Sequence, residues 1–203
     1  MAAVGDVWAV RDWRRKVTEL YDGVRTAATP PEGHALWVEG RNALLSGHPA
    51  SPVPGDQRRG FAARVGPYDP AFRFTVAIEE APRERREVLT PNDGVVPFER
   101  IGRVVLPELG SLDVWWLDSY GGGIFIPMRD ESSGGLTYGG GRYVLDTVKG
   151  ADLGGGADSL VVDLNFAYQP SCAYSPDWTC PLPGVGNTLR VPIDVGEQHI
   201  GDH

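Results

Sequence analysis

The sequence predicts a mainly β fold, an antiparallel β-barrel or sandwich with two N-terminal α-helices packed against it. Three observations carry this expectation. The 203 residues include 27 glycines and 17 prolines, spread along the chain as turn punctuation, which marks many short elements joined by turns. Residues 1–50 space their apolar side chains by three and four, whereas residues 51–203 run in short stretches of apolar and polar alternation. An apolar content of 41% with 23% charged residues suits a chain with a sizeable buried core. One domain is expected, residues 1–50 being a helical segment of the same unit as the β-rich core at 51–203.

Asp6 is placed to cap a first helix through Val7, Val10, Trp13, Val17, Leu20 and Val24. Gly23 and ATPPEG (Ala28 to Gly33) end it. A second helix turns Leu36, Trp37, Gly40, Ala43 and Leu44 inward and stops at Gly47-His48-Pro49. After ASPVPGD the character changes. FRFTVAIEE (Phe72 to Glu80) alternates as a half-buried strand does, while PRERREV (Pro82 to Val88) reads as a solvated turn. RVVLPELG and SLDVWWLDSY are strands around a turn at Pro107 to Gly110. GIFIPMRD is a strand carrying a proline, hence an edge or a bulge. YGGGRYVLDTVKG, SLVVDLNFAYQP and TLRVPIDVGE complete a set of about seven strands. The core is expected over residues 60 to 198.

A net charge of −8 and a pI near 5.0 leave no basic surplus to displace counterions from duplex nucleic acid. No apolar run reaches ~18 residues, so no membrane span is expected. The start MAAVGDVWAVRDWRRK lacks a signal-peptide core, which points to a cytoplasmic chain with reduced thiols.

Several polar residues stand out in the second half. Three glycines precede Arg142, yet GGGR fits neither the P-loop nor the dinucleotide fingerprint. On a continuous strand, Val161, Asp163, Asn165 and Ala167 would share one face and Val162, Leu164, Phe166 and Tyr168 the other. Arg142 is then the natural bidentate partner for Asp163, either as a structural ion pair or inside a pocket. Cys172 and Cys180 sit in one loop crowded with proline and aromatics, close enough to bridge if oxidised and expected to be reduced. His34, His48, His199 and His203 fall at no zinc spacing, so neither metal nor cofactor is expected; Glu197 or His199 would be the nearest extra ligands to the thiols. His48 can either cap the second helix or act as a base.

GHPASP, GPYDPAFRF, TYGGGRYVLD, VVDLNFAY, PSCAY, CPLP with a following Asn187, and the closing VGE appear in that order. Together they resemble the bacterial domain-of-unknown-function family DUF1684, in its short form, over roughly Leu36 to Glu197. This chain departs from the pattern at Gln169-Pro170, at Leu136 and at GVGN, and keeps Arg142, Asp163, Asn165, Tyr168, Cys172, Tyr174, Cys180, Asn187 and Glu197. The resemblance implies no activity.

Two functional readings compete at this point. In the first, Tyr168, Tyr174, Trp178 and Trp115-Trp116 wall a pocket in which Arg142, Asp163, Asn165 and Asn187 orient a small anionic molecule. In the second the pocket is catalytic, with Asp163 as general base, Tyr168 or Tyr174 as acid, and Arg142 as clamp for developing charge. A third reading makes the first helix, with Trp8, Trp13 and Tyr21, a docking element for a partner.

Overall fold

The computed structural model describes residues 4–90 and 94–199. Helices α1 (Val4–Thr26) and α2 (Pro30–Gly47) form an antiparallel pair. Asp6 lies within the first turn of α1 and not ahead of it. Thr29 caps α2, its hydroxyl accepting from the Glu32 amide at 3.4 Å, with Pro30 as the first helical residue. The helices touch through glycine. A Cβ on Gly40 would fall 2.6 Å from a Leu20 methyl, and one on Gly23 would fall 2.9 Å from a Leu36 methyl. That contact corrects the inward face expected for α2. Leu36 is 42% exposed, beside α1, while Gly33, His34, Trp37 and Leu45 are the residues buried toward the core.

The strands are β1 (Arg64–Val65), β2 (Arg73–Val76), β3 (Glu84–Thr90), β4 (Gly94–Leu106), β5 (Gly110–Leu117), β6 (Ile124–Met128), β7 (Arg142–Asp146), β8 (Leu160–Asp163) and β9 (Glu197–Gln198). Strands β3 to β7 form one antiparallel meander in chain order, and β1–β9 and β2–β8 are separate antiparallel pairs. Among the described residues no barrel closes. Beyond β7 the ladder continues as isolated bridges, Tyr143 with Tyr168 and Asp146 with Ala151, so the architecture is an open, sandwich-like assembly.

PRERREV is a correction. It enters β3, where Arg86 lays its guanidinium 4.1 Å from the Trp115 ring centre and Val88 packs with Phe98 and Trp115. Arginine stems replace apolar residues on the inward face of that strand. SLVVDLNFAYQP stops being a strand at Asp163, and Leu164–Phe166 forms a 3-10 turn. TLRVPIDVGE stays irregular until Glu197. Pro127 does lie at a bulge, but in a strand flanked on both sides.

Alternating residues put one core on each face of the meander. Val104, Leu112, Val114, Ile126 and Val144 face the main core with Tyr21, Trp37, Val162 and Phe166. Phe98, Trp115, Phe125 and Tyr143 face the other way, where Tyr168 and Cys180 cover them. Among the described residues no helix is long and apolar enough to cross a membrane.

Candidate functional site

Asp163 and Arg142, expected as a pair, are not partners. Asp163 is fully buried and bonds Arg73 at 2.9 Å through one oxygen, while the other accepts from the Asn165 amide and side chain at 3.0 and 2.7 Å. That local bond is what ends β8, because an Asp that caps its own turn competes with the ladder. Asn165 spends its remaining capacity on the Asp69 backbone, at 2.8 Å in both directions. Its own carbonyl accepts from His34 Nε2 at 3.1 Å.

Arg142 is also fully buried and pairs with Asp130 at 2.9 Å. Its terminal nitrogens donate further to the carbonyls of Ile193, Val195 and Glu197 at 2.8, 2.5 and 3.2 Å. Asn187 is sealed as well: it accepts from Trp115 Nε1 at 2.9 Å and donates to the Asp113 and Pro127 carbonyls, each at 2.8 Å. Asp163, Asn165, Arg142 and Asn187 tie irregular chain to the strands, and none of them lines the two pockets described below. Trp178 is 42% exposed and takes no part either. His48 ties the helices together, its Nδ1 accepting from the Ala50 amide at 3.0 Å and its Nε2 donating to Asp12 at 3.1 Å.

A different group of residues does converge. Glu197 on β9 is fully buried and grips Arg41 of α2 through both oxygens, the second at 3.1 Å. That second oxygen also accepts from the Gln169 amide at 2.6 Å and the Tyr174 hydroxyl at 3.0 Å. Arg41 in turn reaches the Tyr174 hydroxyl at 3.2 Å and stacks 4.8 Å above the centre of the Tyr168 ring. Burial opposes the Arg41 charge, but the Glu197 carboxylate outweighs it and holds the guanidinium protonated. Burial, and then the Glu197 charge, push the Tyr174 hydroxyl far above its ordinary range, so it remains a donor. Tyr168, also raised by burial, serves as the aromatic shelf under Arg41.

Above this network lies a pocket of about 370 Å³ lined by Val53, Gln57, Phe61, Gln169, Ala173, Tyr174 and His199. Its floor rests on a small apolar cluster of Leu45, Val53 and Ala63 with Phe61 and Tyr174. Arg58 fixes the wall that carries Val53 and Gln57, donating to the carbonyls of Val53, Ser51 and His48 at 2.8, 3.0 and 3.1 Å. A wider groove of about 530 Å³ runs along α1 and α2 past Leu20, Gly40 and Leu44, and is lined also by Lys16, Glu19 and His48. His203 lies outside the described residues. Among those described, no three His, Cys, Asp or Glu side chains gather to hold a metal.

Of the expected site residues, only Tyr174 lines this pocket, with Tyr168 one layer below. Arg41 escaped the sequence reading although a signal was present. Trp37, Arg41 and Leu45 recur at intervals of four on α2, which puts a cation inside an apolar stripe. The cysteines are unbridged, and the Cys172 amide donates to Cys180 Sγ at 3.4 Å.

The family model described as "Protein of unknown function (DUF1684)" matches residues 62–198. Among solved structures, the chain is similar to an uncharacterized protein of Haloarcula marismortui determined by solution NMR. The two share 27% identity at a TM-score of 0.57, covering 82% of this chain and 92% of that one. No curated protein matches.

Proposed function

Because the chain belongs to the DUF1684 family, whose description assigns no activity, function has to be argued from the site, and we propose that the protein binds a small molecule in the pocket beside Tyr174. The observation that carries this reading is the buried Glu197–Arg41–Tyr174–Gln169 network directly under that pocket. Glu197 holds the Tyr174 hydroxyl and the Gln169 backbone amide, and the Gln198 carbonyl holds the Gln169 side chain, so the wall these two residues form is set before a ligand arrives, which lowers the ordering cost of binding. A volume near 370 Å³ with an apolar floor and a few polar side chains is the usual make-up of a metabolite site. The ligand class follows from the lining: an apolar body against Val53, Phe61 and Ala173, with a hydrogen-bonding end toward Gln57, Gln169 and His199.

Arg142, the expected anion clamp, is consumed in the core, so a preference for anions has to come from the rim. Binding is favoured over acid–base catalysis because no carboxylate appears among the described residues lining the pocket, and Asp163 is held by Arg73 and Asn165. We place the protein in the cytoplasm, binding a diffusing metabolite.

Native and denaturing mass spectra of the purified chain test this. Extra mass in the native spectrum alone, absent from Ala173→Trp, is the expected result. If the native protein is bare, benzoate and benzamide titrated by NMR should shift the amides of residues 169–174, and a stronger response to benzoate would restore the anionic preference. No adduct and no shift with either probe would overturn the reading.

A further inference from the structure

The thiols of Cys172 and Cys180 meet at one end of the loop that covers the second face of the meander. Cys172 sits in the 3-10 turn Ser171–Ala173, and its backbone N–H points at Cys180 Sγ, 3.4 Å away. Tyr138 donates to Cys172, with its hydroxyl 3.3 Å from the carbonyl oxygen and 3.8 Å from the sulfur. Beyond Cys180, the Pro181 carbonyl is held by the Tyr143 hydroxyl at 2.8 Å. Both sulfurs belong to half-buried residues, and the chain between them is exposed from Pro176 to Thr179. The two thiols are therefore positioned by fixed backbone yet open to a small reagent.

Their chemistry is unequal. The Cys172 thiol donates to the Cys180 sulfur, and the Cys172 amide and the Lys149 charge also favour a thiolate there, which outweighs burial and brings Cys180 down to about 6. Cys172, the donor in that bond and itself partly buried, is pushed up far out of its ordinary range.

We propose that Cys180 and Cys172 form a thiol-modification site for low-molecular-weight disulfides of the glutathione disulfide type, with Cys180 as the attacking thiolate and Cys172 as the resolving thiol. Cys180 Sγ attacks one sulfur of the reagent, its S–S bond breaks, and one thiolate leaves and takes up a proton. Cys172 then loses its proton and attacks Cys180 Sγ, and the second reagent thiolate departs. The sum converts two protein thiols and one reagent disulfide into a Cys172–Cys180 bridge and two reagent thiols. Tyr174 lies on the bridged loop, so the site neighbours the pocket, but the inference does not depend on what the pocket holds.

The test begins with the reduced wild-type chain, pulsed with iodoacetamide at several pH values and mapped by mass spectrometry. Cys180 should alkylate at least about tenfold faster than Cys172 at neutral pH, with its rate half-maximal near pH 6 and not near the ordinary thiol value of about 8.5. Incubation with glutathione disulfide should then yield a bridged chain that carries no glutathionyl group. Cys172→Ser should retain one glutathionyl on Cys180. Equal alkylation of the two thiols, or a wild-type chain that keeps the glutathionyl and forms no bridge, would overturn the proposal; neither readout depends on a variant folding.

Discussion

Arg142 commits both of its terminal nitrogens to Asp130 and to three carbonyls of the chain between Ile193 and Glu197. Because both Arg142 and Asp130 are buried, removing one member of the pair leaves the other charged and buried, at a cost of about 3–5 kcal/mol. Arg142→Met should therefore lower the unfolding free energy by that amount in a urea titration. A loss under about 1 kcal/mol would mean that solvent enters the site. That Arg142 and Asp163 were unusual could be read from the sequence, Arg142 from the three glycines ahead of it and Asp163 from its place in an apolar strand, whereas Asn187 was marked only by the family resemblance. Their partners could not. Those depend on where the irregular segment after Asn187 runs, and no periodicity encodes its path.

At the scale of elements, regular alternation was sufficient for β2, β5 and the end of β4 at residues 103–106, whose inward residues are mostly ordinary apolar side chains, and for β7 despite its buried Arg142; the start of β4 at Gly94 was not expected. β3 was hidden because Arg86 does the work of an apolar residue. The end of β8 was hidden because Asp163 bonds its own turn. Joining these pieces is a bulge in β4 between Arg100 and Gly102, beside the paired hydrogen bonds of Glu79 and Arg103 at 2.8 and 3.0 Å. A Cβ on Gly102 would come within 2.4 Å of the Glu79 carbonyl oxygen, which is backbone and has little room to yield. Gly102→Ala should break that bridge and destabilise the fold by about 1–3 kcal/mol. Hydrogen exchange would report it as lost protection at the Glu79 and Arg103 amides. Unchanged protection there would show that the bulge can flatten to admit a methyl group.

For the molecule as a whole, the meander pairs five strands in chain order, with short connections except for the longer stretch at residues 129–141 between β6 and β7. The segment from Val191 to Gln198 plays a different part, since it touches everything else. Ile193 and Val195 are buried in the main core, Arg142 of β7 holds the segment's carbonyls, Glu197 anchors α2 through Arg41, and β9 pairs with β1. Such a segment couples the helices to the sheet, and its loss uncovers charges and apolar surface at several places together. A chain ending at Arg190 should thus fail to unfold as one cooperative transition, losing near-ultraviolet circular dichroism while keeping much of its far-ultraviolet signal. Local fraying would look different: a sharp melt displaced by a few degrees, with the near-ultraviolet bands intact. In that case the helices and the meander would be holding one another without the segment. The bonds from Arg142 and Arg41 would then fix only its path, leaving the pocket, which needs Tyr174 and Gln169 set by Glu197, as the part that depends on it.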